Sequence, residues 1–118
     1  MMPKGEHRVL VCGGRHYDDT RALYRALDAL DPAPTLIIEG GAFGADAMAS
    51  KWAHLRGVQL KTYSADWKQH GRAAGPIRNQ QMIDEGRPDL VVVFIGGTGT
   101  ADMVRRAQLA GIPVKDMR

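Results

Sequence analysis

Leu90-Val91-Val92-Val93-Phe94-Ile95-Gly96-Gly97-Thr98-Gly99-Thr100 is the stretch that decides the fold. An unbroken apolar run runs into a glycine-rich turn, and Met103, Val104, Ala107 and Ala110 follow at helical spacing. A strand apolar at every position is one covered on both faces, as in a parallel sheet. It is the most apolar stretch of the chain, and its expected place is the centre of the sheet.

The same unit recurs upstream. Val9-Leu10-Val11-Cys12 leads through Gly13-Gly14 to Leu23, Leu27 and Leu30, with Asp18, Asp19 and Thr20 as N-cap candidates. Leu36-Ile37-Ile38 leads through Glu39-Gly40-Gly41 to Ala45, Met48, Ala49, Trp52 and Leu55, one helical face closed by Gly57. A third strand is expected from Gln59 to Tyr63. A polar loop, Ser64 to Gly75, precedes a helix with Pro76 in its first turn that runs to about Glu85. Gly111 ends the last helix, and Pro113-Val114-Lys115 is a short final strand. The order βαβαβαβαβ predicts an α/β, Rossmann-like, doubly wound fold: a mainly parallel five-stranded sheet with helices on both faces.

The chain has 118 residues, the size of one domain, with 44% hydrophobic and 25% charged residues, which excludes a disordered chain. Met1–His7 is polar and is expected to form a loose tail ahead of a single domain over 8–118. One cysteine excludes an internal disulfide. His7, His16, His54 and His70 lie too far apart for zinc-type spacing, so no metal is expected, and no cofactor is implied. No apolar run approaches the roughly 18 residues of a membrane helix and no signal peptide is legible, so no membrane partner is expected and the expected compartment is the cytoplasm. The net charge of +3 permits an anionic ligand without demanding nucleic acid.

Glycine is unusually frequent, 14 of 118 residues, and it clusters in the strand-to-helix turns. In a parallel sheet these turns share the carboxyl edge, where ligands bind. Gly96, Gly97, Thr98, Gly99 and Thr100 form the strongest candidate cradle for a phosphate or carboxylate, because helix-start N–H groups and hydroxyls face the anion. Gly40, Gly41 and Gly44 make a second turn that matches neither the dinucleotide fingerprint nor a P-loop. Asp46 in its helix either favours the helix dipole or binds a ligand hydroxyl. Glu39 is either a ligand contact or a partner for Arg15. Gly13, Gly14 and Arg15 form the third turn, with Arg15 able to hold a phosphate; His16 beside it is a weaker candidate. In the long loop Trp67, Lys68, His70 and Arg72 gather, and Arg78 and Asn79 start the next helix, where an anion would meet them. Trp67 either stacks a base or is a hydrophobic lid or core residue. Cys12, without a paired histidine, reads as a core thiol.

Five segments together resemble the SLOG superfamily. They are Val11-Cys12-Gly13-Gly14-Arg15 with Tyr17-Asp18, Gly40-Gly41-Ala42-Phe43-Gly44-Ala45-Asp46, Ala65-Asp66-Trp67, Ala74-Gly75-Pro76-Ile77-Arg78-Asn79-Gln80-Gln81-Met82, and Gly96 to Thr100. That Rossmann-like group includes the DprA/Smf DNA-processing proteins and the LOG phosphoribohydrolases. The chain is most similar to its small YspA/YpsA-related branch, long described as a domain of unknown function. The resemblance covers about Arg8 to Val114 and implies a nucleotide-related ligand at the carboxyl edge. It also implies a homo-oligomer, a dimer being favoured.

LOG-like enzymes carry Gly-Gly-x-Gly-Thr-x-x-Glu, whose glutamate helps cleave an N-glycosidic bond. Met103 stands at that glutamate's position here, with Asp102 one residue early. A methionine accepts no proton, so the cradle is kept while the hydrolase signature is broken. Glu39, Asp46 and Asp102 remain as carboxylates that could stand in. The expected function is binding of a nucleotide or nucleotide-derived small molecule, as in a sensor. The alternatives are a phosphoribohydrolase-type enzyme and, through the DprA-like Arg78-Asn79 pair, single-stranded nucleic-acid binding.

Overall fold

A computed structural model describes residues 5–118. Met1–Lys4 of the expected tail lie outside the described residues. His7 is tied in: its N–H donates to Thr35 Oγ1 at 2.9 Å, and its ring nitrogen Nδ1 lies 2.7 Å from the Pro32 carbonyl.

The chain folds as β1 (Arg8–Cys12), α1 (Thr20–Asp28), β2 (Leu36–Glu39), α2 (Ala45–Arg56), β3 (Gln59–Thr62), α3 (Trp67–His70), α4 (Ala74–Asp84), β4 (Leu90–Val93), α5 (Thr98–Leu109) and β5 (Val114–Asp116). The five strands lie in the order β3-β2-β1-β4-β5, and every neighbouring pair is parallel. This is the Rossmann-like α/β fold expected. It corrects one detail: β1, not β4, is the central strand, and β4 lies beside it. Val9–Val11 and Val91–Val93 are equally inaccessible to solvent. Apolarity reports burial on both faces, which both inner strands share, and so cannot rank them.

Alternation along the strands divides the core. Val9, Val11, Ile37, Val92 and Phe94 pack against Leu23, Leu27, Ala49 and Trp52 of α1 and α2. Leu10, Cys12, Val91 and Val93 pack against Met82, Ile83, Met103 and Val104 of α4 and α5 on the other face. Helix α1 starts at Asp19, whose carboxylate accepts from the Ala22 N–H at 3.0 Å. Asp19→Ala should therefore cost about 1 kcal/mol in chemical denaturation, as loss of a helix cap does; an unchanged midpoint would show that the cap is dispensable.

The segment expected as one polar loop is partly helical. Asp66 accepts from the Gln69 N–H at 3.0 Å and caps α3, and a short 3-10 turn, Gly71–Ala73, leads into α4. Pro76 is the third residue of α4, where its missing N–H would have had no helical partner.

Candidate functional site

The strand-to-helix turns converge at the carboxyl edge on a cleft of about 630 Å³. Cys12, Met82 and Met103 lie at its buried apolar base. Gly13, Gly14 and Arg15 line it after β1, and Gly97, Thr98, Gly99 and Thr100 line it after β4. Helix α4 brings Arg78 and Asn79, which lie in its second turn and not in its first as expected, because the helix already begins at Ala74; α2 brings Asp46, α5 brings Asp102, and Trp67 and Arg72 complete the rim. Trp67 is 56% exposed, so it is neither a core residue nor a closed lid. Glu39, Gly40, Gly41, Gly44 and Gly96 stand outside the lining.

The turn glycines divide into two kinds. A side chain at Gly14 would come within 3.0 Å of the Gly96 Cα, and one at Gly96 within 2.7 Å of the Gly14 nitrogen. These turns press backbone to backbone, and the Gly14 N–H donates to the Ile95 carbonyl at 2.8 Å. Gly44 has φ +73° and would drive a Cβ into the Gly14 carbonyl and the Arg15 backbone. Gly40 lies against the Arg78 guanidinium and Asp46. Packing accounts for these. Gly97 and Gly99 are different: a Cβ there meets nothing within 4 Å, and neither has the positive φ that favours glycine. The fold does not require glycine at either position, and both line the cleft.

Gly97 is the N-cap of α5 and Gly99 its second residue, and this helix begins without a side-chain cap. Its first-turn N–H groups are orphan donors at the positive end of the helix dipole. Thr100 is 6% exposed and lines the cleft, and its hydroxyl, which makes no hydrogen bond to another described residue, is open to the cleft rather than sealed in the core. Arg15 and Arg72 are exposed on the rim and likewise have no hydrogen bond or ion pair among the described residues. Arg72 belongs to the basic loop noted in the sequence, but only the turn Gly71–Ala73 shows that it, rather than Lys68 or His70, reaches the cleft.

The other polar groups are committed to the protein. Glu39 is 2% exposed; one oxygen accepts from the Gly41 N–H at 2.6 Å and the other from the Thr62 hydroxyl, so it is not the partner of Arg15. Arg78 donates Nη1 to the Gly40 carbonyl and Nε to Asn79 Oδ1. Asp102 accepts from Arg106 Nε at 2.7 Å, Arg105 at 2.8 Å and Asn79 at 3.0 Å. Burial pushes Asp102 up, but the hydrogen bonds from Arg106 and Asn79 outweigh it and hold the carboxyl below its ordinary value. Asp102 therefore stays ionised and neutralised in place.

Asp46 is the exception. Its Oδ2 accepts from the Gly40 N–H at 3.1 Å and the Ala42 N–H at 3.3 Å, while Oδ1 has no partner among the described residues. Burial pushes its pKa up to about 6, with Glu39 adding to the rise and the Ala42 N–H and Arg78 opposing it. Burial, and then Asp46, push the Cys12 thiol up to about 12, so Cys12 stays protonated and is no nucleophile. The charge facing the cleft is thus net positive: two unpaired arginines and Arg78 against Asp46 and an Asp102 already paired with Arg105 and Arg106. Among the described residues no cluster of side chains has the makings of a metal site, and no helix is long and apolar enough to cross a membrane.

Residues 7–70 match the model of the YspA, cpYpsA-related SLOG family, YAcAr. The chain belongs to the YAcAr family. The Gene 61 protein of Mycobacterium phage D29 is 39% identical to this YAcAr chain over 117 residues, covering 91% of this chain and 93% of the phage protein. Among solved structures, the X-ray structure of DNA processing protein A (DprA) from Streptococcus pneumoniae superposes with a TM-score of 0.78 at 17% identity, over 94% of this chain. The YAcAr chain spans 50% of that DprA chain, and at this identity the likeness is one of fold.

Proposed function

We propose that this YAcAr domain binds a nucleotide or nucleotide-derived small molecule in the carboxyl-edge cleft. The observation that carries the reading is the turn Gly97–Thr100. It has two glycines that the fold does not need, an uncapped helix start and a Thr100 hydroxyl that opens on the cleft and bonds to no other described residue. A phosphate there would accept from the N–H groups and hydroxyls that lack partners. Arg15 and Arg72 would neutralise it from the rim, and Trp67 would offer a face for a base. Asp46 Oδ1 would accept from a ribose hydroxyl. In this reading the protein acts in the cytoplasm, and the exposed apolar Ile77 and Leu109 of α4 and α5 are where a homodimer would form.

The test is thermal unfolding against a panel of nucleoside mono-, di- and triphosphates and ADP-ribose. A ligand at 100 times its Kd should add about 2.7 kcal/mol, roughly 10 °C for a domain of this size. Arg15→Ala/Arg72→Ala should abolish most of that shift, because both side chains are free of structural duties. No shift anywhere in the panel would defeat the reading. Binding of single-stranded DNA that weakens steeply with salt, without a small-molecule shift, would favour the nucleic-acid alternative.

One observation favours a second reading, a nucleotide hydrolase. Asp46 lines the cleft with a pKa of about 6, where a carboxylate can take a proton at neutral pH. Release of free base from nucleoside monophosphates, lost in Asp46→Asn, would establish it; Met103, 1% exposed, offers no such group.

A further inference from the structure

Asn79 is expected from sequence as a ligand contact, yet its amide is spent on the protein. It is 4% exposed. Its Oδ1 accepts from Arg78 Nε at 3.1 Å. Its Nδ2 donates to the Gly99 carbonyl at 3.1 Å and to Asp102 Oδ2 at 3.0 Å. Arg78 in turn holds the Gly40 carbonyl, and the Gly40 N–H holds Asp46. A continuous polar chain therefore runs from the turn after β2, through the second turn of α4, to the first turns of α5.

The end of that chain matters most. Gly97 and Gly99 carry no side chains to fix them, and Gly97 gives α5 no side-chain cap. A turn with two such glycines loses much conformational freedom when it closes on a ligand. The Asn79 side chain is the one that grips the backbone of this turn among the described residues. We propose that Asn79 is a positioning residue: it holds the Gly97–Thr100 turn in its anion-binding shape before a ligand arrives and ties that turn to Arg78. The proposal rests on the phosphate reading of the turn given above.

Asn79→Asp separates the two functions of the amide. The carboxylate still accepts from Arg78, but it cannot donate to Gly99 and it repels Asp102. Asn79→Ala removes both donations without adding charge and guards against misfolding of the first variant. In ligand-free protein, amide hydrogen exchange across residues 97–101 should accelerate at least tenfold in either variant, with β1 and α1 amides changed less than twofold. Calorimetric affinity for adenosine 5′-diphosphate should fall at least tenfold. Exchange that rises uniformly through β1, β4 and the turn, or an unchanged turn, overturns the proposal. So does a loosened turn with undiminished affinity. A loosened turn in a protein whose wild type binds no nucleotide supports the hold of Asn79 on the turn and defeats the nucleotide reading instead.

Discussion

Gly44→Ala should destabilise the protein by about 3 kcal/mol or more, while Gly97→Ala should leave its stability within about 0.5 kcal/mol of wild type. Both residues belong to glycine-rich turns at the same sheet edge. At Gly44 the backbone is left-handed, with φ +73°, and the new methyl would overlap the Gly14 carbonyl and the Arg15 backbone. Neither neighbour is a side-chain end that can swing aside; each belongs to the turn after β1. For a domain of this size the loss corresponds to a drop of roughly 10 °C in Tm. At Gly97 the methyl would point into open space at an ordinary φ. Its expected effect is on ligand affinity, because it would stand where a phosphate would approach in the proposed binding mode. Thermal melts of both variants, with and without the best ligand of the panel, give the answer. Equal destabilisation would remove the distinction between packing glycines and cleft glycines.

The second large effect is a gain. Asp46→Asn should make the protein more stable at pH 7.5 by about 2 kcal/mol. The pKa of Asp46 rises from 3.8 to about 6 on folding, so the fold favours the protonated carboxyl. The stability linked to that proton is complete below the ordinary value and is lost as pH rises through about 6. Wild type at neutral pH therefore carries a buried charge that the amide does not. The asparagine oxygen can still accept from the Gly40 and Ala42 N–H groups. Urea titrations at pH 4, 6 and 7.5 should show the two proteins converging at the acid end. A variant less stable than wild type at pH 7.5 would mean that Arg78 and the two N–H groups more than offset the burial of the charge. Ligand affinity should fall in the same variant, since an ionised carboxylate kept at a stability cost is typical of a residue retained for binding or chemistry.

The element order was readable because it depends on local periodicity. Val9–Cys12 and Leu90–Val93 show apolar continuity, and the helices show their own spacing, so both periods survive in one dimension. The cleft edge was readable for the same reason, since parallel strands put all their following turns at one end. Properties set by contacts between distant segments were not. Whether Gly14 or Gly97 is a packing glycine depends on whether Gly96 or solvent stands opposite. Glu39 looked equally suited to Arg15 and to a ligand until β3 brought Thr62 beside it. Asn79 read as a ligand group because nothing local says that Gly99 and Asp102 consume its donors. Arg72 was one cation among several in a loop whose partly helical path, set by Asp66 and Gly71, decides which of them reaches the cleft.

The backbone contact between the turns after β1 and β4 also constrains how this domain can be altered. Gly14, Gly44 and Gly96 form one interlocked block, so a selection that varies them singly will return mostly unfolded chains. Arg15, Trp67, Arg72, Gly97 and Gly99 surround the same cleft without bearing on that block. A library confined to these positions should stay folded at high frequency, and it is there that a change of ligand preference can be sought.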